Sequence, residues 1–190
     1  MQTVTLWMQM SLDGYAEGPD GAFDWPVVTP ELQRMFVDEL GKVSAFLYGR
    51  KVYEGMAAFW PTADEVAGMS AETAEYARIW KPMPKVAFSR TLEHADWNTR
   101  IVRDDVAAAV NELKQRDGNG LVLFGGPNIV STFVELGLID EYRLFVHPVT
   151  LGGGTPLFPH SGTRQKLELV ESRTFPGGVT DLHYRTLGTA

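Results

Sequence analysis

The chain has 190 residues, an apolar share of 44% and a formal net charge of −7, from 17 Lys+Arg against 24 Asp+Glu. That length suits one domain with a sizeable core, and 1–190 reads as a single domain without linker or repeat. The acid excess argues against a nucleic-acid partner, and the absence of cysteine removes disulfides, thiolate catalysis and Cys-based zinc sites.

No apolar run reaches 18 residues, so no membrane span is expected. MQTVTLWMQM lacks the basic region and small-residue cleavage site of a signal peptide, so the cytoplasm is the expected location.

In chain order, Thr3 to Met10 reads as a first strand, followed by the turn-rich SLDGYAEGPDGAFDWP. Thr29-Pro30 suits an N-cap with proline at N1. Leu32, Met35, Phe36 and Leu40 share one face of that helix, and Gly41 suits its C′ position. Val43 to Tyr48 reads as a strand, and a helix is predicted from Gly49-Arg50 to about Phe59. A loop plus a helix fills Thr62 to Ile79, and short strands cover Lys85 to Phe88 and Thr99 to Val102. Asp104 is the predicted cap of a helix with Val106, Ala109, Val110 and Leu113 on one face. Leu121 to Phe124 is a buried-type strand, Pro127 to Leu136 a helix closed by Gly137, and Glu141 to Val146 another strand. YRLFVHPV suits either core or an interface. Leu167 to Thr174 and Val179 to Thr186 flank a Pro176-Gly177-Gly178 turn, which suits a hairpin. Alternating strands and helices, ending in antiparallel strands, predict an α/β fold with a mixed sheet.

Three strand ends carry donors suited to phosphate. In LVLFGGPNIV, Gly125 and Gly126 let the backbone approach a ligand, and Pro127 is pre-set to begin a helix. The helix N-terminus then offers free N–H groups and a positive dipole end. In LYGRKVYEGM, Gly49 precedes Arg50 and Lys51, two cations that oppose the helix dipole unless an anion sits between them. In KVAFSRTL, Ser89 and Arg90 supply a hydroxyl and a guanidinium. Each has a purely structural reading alone. Their grouping at carboxyl ends of strands suits a ligand site.

These segments, with MSLDGYAEG and the long block from LVLFGGPNIV to GGGTPLF, resemble the dihydrofolate reductase superfamily. The nearer resemblance is to the C-terminal reductase domain of RibD, from bacterial riboflavin biosynthesis. It implies a three-layer αβα sandwich with a mixed, mostly parallel sheet and antiparallel C-terminal strands. It also implies NADPH as hydride donor and a homodimer. Gly49, Arg50, Lys51, Ser89 and Arg90 match the phosphate-holding segments. Phe124, Gly125, Gly126, Pro127, Asn128 and Ile129 match the pyrophosphate turn. Met10, Ser11, Asp13, Gly14 and Tyr15 match the loop beside nicotinamide and substrate. Asp24 and Trp25 match a substrate-contacting segment, which Tyr53 and Met56 would face from the next helix. Phe124 departs from the pattern, which places Glu there, and this points to a flatter, less polar ligand than the riboflavin intermediate. The chain has no deaminase motif.

Hydride transfer also needs a proton source. Asp13 is the candidate acid, although Asp13-Gly14 equally suits a turn. Tyr15 is a candidate donor or stacking ring, and Trp25 a stacking wall or a core residue. His94, His147, His160 and His183 lack metal-ligand spacing, and no metal is expected. The expected function is NADPH-dependent reduction of a small pyrimidine- or pteridine-like compound. The alternatives are a non-catalytic scaffold that kept the fold, or a true dihydrofolate reductase. Against the last, Asp38 and Glu39 come late in the first helix for protonating a pterin.

Overall fold

The computed structural model describes residues 1–158 and 164–189, so His160 lies outside the described residues. Among the described residues, ten strands and five α-helices form in the order β1 (Val4–Ser11), β2 (Tyr15–Glu17), α1 (Pro30–Leu40), β3 (Ala45–Gly49), α2 (Arg50–Phe59), α3 (Ala71–Trp80), β4 (Lys85–Phe88), β5 (Thr99–Val102), α4 (Val106–Gln115), β6 (Leu121–Phe124), α5 (Pro127–Glu135), β7 (Glu141–His147), β8 (Thr155–Pro156), β9 (Gln165–Thr174) and β10 (Thr180–Thr189). Eight strands make one sheet in the order β5-β4-β3-β6-β1-β7-β10-β9, and β2 pairs with β8 separately. The first six of the eight run parallel, while β10 is antiparallel to both neighbours.

The central strands are apolar at successive positions because both faces of the sheet are covered. Along β3, Ala45 and Leu47 enter one core, while Phe46 and Tyr48 enter the other. Along β6, Leu121 and Leu123 face the first, and Val122 and Phe124 the second. The first core is roofed by Ala109, Val110 and Leu113 of α4 and by Val130 and Phe133 of α5. The second is roofed by Leu32, Met35 and Leu40 of α1, Tyr53 of α2, and Tyr76 and Trp80 of α3. Helices thus cover both faces, and the architecture is the α/β sandwich implied by the family resemblance.

Local chemistry fixes the helix ends. The Thr29 hydroxyl accepts from Leu32 N at 3.3 Å, and Ser70 accepts from Thr73 N at 3.1 Å. Lys85 is buried and donates to the carbonyls of Trp80, Met83 and Trp97 beyond the end of α3, with its ammonium 4.0 Å from the Trp80 ring centroid.

Two cap expectations change. Asp105, not Asp104, caps α4: it accepts from Ala108 N at 2.9 Å from a left-handed conformation that aspartate tolerates. Gly41 is right-handed (φ −67°) rather than a left-handed C′ residue. Its lack of Cβ serves packing, since a Cβ there would sit 3.0 Å from the Val37 carbonyl and 3.3 Å from Ile79 Cδ1. The hairpin turn forms as expected, with Gly177 and Gly178 both at positive φ. The strand YRLFVHPV proves to be core, because β7 lies between β1 and β10.

Candidate active site

A cleft of about 690 Å³ opens at the carboxyl ends of β1 and β6, on the face covered by α1 and α2. That is the usual ligand position in open α/β sheets, and the size suits a small molecule. Its walls are largely aromatic: Trp7, Phe36, Trp60, Tyr76 and Phe124. Trp7 is wedged between Arg143 and the Phe36 and Phe145 rings. The Arg143 guanidinium lies 4.8 Å from its ring centroid and is itself buried against Asp181, with Nη2 donating at 2.8 Å and Nε at 3.0 Å. Phe124 stacks on Tyr48 at 5.6 Å, which makes it a flat wall where a carboxylate would have been polar.

Two helices begin at the rim. Gly126 caps α5 and Gly49 caps α2, so neither helix mouth has a side chain to accept from its first amides. A Cβ on Gly49 would lie 3.0 Å from Ile129 Cγ2 and 3.9 Å from Gly126 N, so the two helix mouths adjoin. Gly125 is more tightly confined, because a Cβ there would be 2.5 Å from Val130 Cγ2. Lys51, Gly125 and Pro127 border the cleft. The first turn of α2 carries Arg50 and Lys51 and no acid, and Glu54, one turn on, lies 3.7 Å from Arg50.

The third phosphate-type segment lies close by. Arg50 Nη1 donates to Thr91 Oγ1 at 2.9 Å. The Ser89 oxygen accepts from Thr91 N and Leu92 N, which curls the chain after β4 and leaves its hydroxyl proton free to donate. Arg103 Nη1 donates to the Arg90 carbonyl at 3.2 Å. Arg50, Arg90 and Arg103 therefore gather around one exposed turn. Arg103 carries no local motif, and only the β4–β5 pairing brings it there.

In the loop after β1, the contacts of Asp13 are those of a loop-structuring residue. Asp13 accepts from Leu151 N at 3.0 Å and from Gly152 N at 2.8 Å. The Ser11 hydroxyl, followed by these amides, holds the Asp13 carboxyl below its usual range. Asp13 is thus an ionised acceptor that joins two loops, a poor arrangement for donating a proton. The Ser11 oxygen accepts from Tyr15 N at 2.9 Å. Gly14 turns at φ +90° and accepts from Leu157 N. Met10, Ser11, Asp13, Gly14 and Tyr15 flank the cleft without lining it. Glu17, on β2, is the carboxylate that does border it. Sequence reasoning passed over Glu17 because its place depends on β2 pairing with β8.

The proposed substrate residues divide. Met56 lines the cleft, and its sulfur accepts from Trp60 Nε1 at 2.8 Å. Tyr53 turns away: it is buried, and its hydroxyl both donates to Asp96 O and accepts from Asp96 N. Its helical position suggested the cleft, but that face of α2 packs on the segment between β4 and β5. Asp24 is exposed, and Phe23, Pro26 and Val28 line the cleft instead of it and Trp25. Trp25 packs edge-on against His147 at 5.4 Å. From α1 the cleft receives Gln33, Phe36 and Leu40. Asp38 pairs with Arg34, and Glu39 with Lys42 and Arg143, so no acid of α1 enters. Among the described residues no group of three His, Asp or Glu converges to hold a metal, and no helix is long and apolar enough to cross a membrane.

Residues 2–180 match the RibD C-terminal domain. The chain belongs to this family. Among its relatives, uncharacterized protein YyaP of Bacillus subtilis is 35% identical over 97% of this chain and 95% of its own length. YwjB of the same organism is 27% identical, over 94% and 95% respectively. A putative riboflavin biosynthesis protein from Shewanella superposes with a TM-score of 0.77 at 21% identity, covering 98% of this chain and all of its own. Dihydrofolate reductase from Enterococcus faecalis, solved with NADP(H) and RAB-propyl, superposes at 0.66 with 11% identity, over 98% and 97%. The family thus shares the dihydrofolate reductase-like fold.

Proposed function

We propose that this protein is an NADPH-dependent reductase of a small, flat heteroaromatic compound of the pyrimidine or pteridine kind. The observation that carries this reading is one rim shared by two glycine-capped helix mouths and the Arg50–Arg90–Arg103 turn, beside an aromatic cleft.

The donor set fits a dinucleotide with an extra phosphate. Backbone amides at Gly126 and the start of α5 suit the pyrophosphate, where a bare glycine lets it approach. Arg50, Ser89 and Arg90 suit the 2′-phosphate, with Arg103 behind them. The bound cofactor supplies the hydride. The chain's own tasks are to place the substrate, to exclude water with Trp7, Phe36 and Phe124, and to manage the proton. Glu17 is the carboxylate at hand for that proton, and Asp13 shapes the loop that carries it.

Phe124 and its aromatic neighbours favour an uncharged ring over a phosphoribosylated pyrimidine. The acid-free cleft face of α1 disfavours dihydrofolate reduction with a proton from that helix. The long edge strand β9 exposes Leu167, Leu169 and Val170, and this supports a homodimer formed there.

Titration with NADPH and NADH, followed by thermal stability and nicotinamide fluorescence, tests the cofactor. Tighter binding of NADPH than NADH, with the preference lost in Arg50→Ala, is the expected result. A wild-type protein that binds neither nucleotide would leave a non-catalytic scaffold as the better reading.

A further inference from the structure

We infer that Gln9 selects the substrate: its side-chain amide is locked as a hydrogen-bond donor, so the cleft takes heteroaromatic rings that present an acceptor atom, such as a ring carbonyl oxygen. The inference rests on the reading of this cleft as the substrate site.

The lock is a three-residue relay. Val27 N donates to His147 Nδ1 at 2.9 Å, so Nδ1 carries no proton. The neutral ring then carries its hydrogen on Nε2. That nitrogen lies 2.6 Å from Gln9 Oε1 and donates to it. The direction of the relay fixes the amide, because a flipped Gln9 would set its NH2 against the Nε2–H. Gln9 Nε2 is therefore turned away from His147, and no acceptor among the described residues takes its hydrogens. Gln9 borders the cleft and sits two residues after Trp7 on the same face of β1. His147 is fully buried, and Trp25 packed against its ring restrains it.

The other polar groups of the cleft do not compete for this role. Gln33 is tethered at both ends, donating to Thr73 Oγ1 at 2.6 Å and accepting from the Ser70 hydroxyl at 3.1 Å, which holds its amide towards the start of α3. Lys51 stands at the start of α2, and Glu17 offers a carboxylate rather than a neutral donor. An amide NH2 bordering a cleft that Trp7, Phe36 and Phe124 also line matches a ring acceptor such as a carbonyl oxygen. A ring edge offering only N–H groups would meet it donor to donor. Sites built around a hydrogen bond reject analogues lacking the partner atom, because the site's polar group is left unpaired.

The probes are quinazolin-4-one and indole, both flat bicyclic heteroaromatics; the first carries a ring carbonyl, and the second offers an N–H and no acceptor atom. Their affinities are measured by calorimetry on the NADPH-saturated protein. The wild type is expected to prefer quinazolin-4-one by about tenfold or more. Gln9→Leu is expected to erase that preference by weakening the carbonyl compound alone, with NADPH affinity within about twofold of wild type. Gln9→Glu keeps the side-chain size and the acceptor for His147, and is expected to lose the preference likewise. A wild type without the preference, or one retained in both variants, overturns the inference. Failure of the wild type to bind NADPH counts against the reductase reading instead, and the same comparison on nucleotide-free protein still decides the role of Gln9.

Discussion

The Arg50 guanidinium donates to the Thr91 hydroxyl at 2.9 Å, tying the first turn of α2 to the chain after β4. Both partners are exposed, and Glu54, 3.7 Å away, is the nearest opposing charge. An exposed contact of this kind adds little to stability. Arg50→Ala should therefore shift the melting temperature by no more than about 2 °C. Its NADPH affinity should fall about 10- to 100-fold, as for loss of a charge-assisted contact. Scanning fluorimetry and fluorescence titration on one preparation separate the two effects. A large drop in melting temperature would make Arg50 a structural residue.

The adjacent glycines should differ sharply. A Cβ on Gly125 would meet Val130 Cγ2 at 2.5 Å, whereas one on Gly126 meets nothing nearer than Val52 Cγ2 at 3.7 Å. Gly125→Ala should cost about 1–3 kcal/mol by overpacking. Gly126→Ala should stay within about 1 kcal/mol of wild type. Urea denaturation of both variants gives the comparison, and equal losses would contradict the packing argument.

Burial pushes the His147 imidazole from 6.5 down to about 4. Between these values the unfolded chain binds a proton that the folded protein refuses, so acid favours unfolding. This stability contribution is complete above pH 6.5 and is lost as the pH falls towards 4. His147→Gln, neutral throughout, should show a shallower loss over that window. Denaturation midpoints from pH 7 to pH 4 measure the slopes, and parallel slopes would mean that His147 is not the responsible group.

On β9, Leu169 is 52% exposed at the edge of the sheet. If two copies meet there, Leu169→Lys should give a monomer at micromolar concentration while the melting temperature changes little. Light scattering after size exclusion reads the mass directly. A variant as dimeric as the wild type would move the interface elsewhere.

The parts of the molecule readable from sequence are those governed by short-range rules. β3 and β6 announce themselves because sheet centres buried on both faces need unbroken apolar runs. Thr29 and Pro30 mark the start of α1 by capping chemistry alone. The cleft's polar residues obey longer rules. Gln9 is an ordinary strand residue until His147, 138 positions away, turns its amide. Tyr53 and Met56 share a helix, yet one holds Asp96 and the other faces the cleft. Arg103 joins Arg50 only through neighbouring strands. Asp13 reads as either an acid or a turn residue, because its partners at Leu151 and Gly152 belong to a distant loop.

Asp13 also has a mechanical consequence. Its carboxylate clasps the amides of Leu151 and Gly152, so the segment after β1 and the segment after β7 form one strap. Neither half can lift without stretching the other. Leu12 N, which donates to the Val149 carbonyl at 2.8 Å, and the β2–β8 pair reinforce the same union, so this edge of the cleft is one joined wall rather than two independent loops.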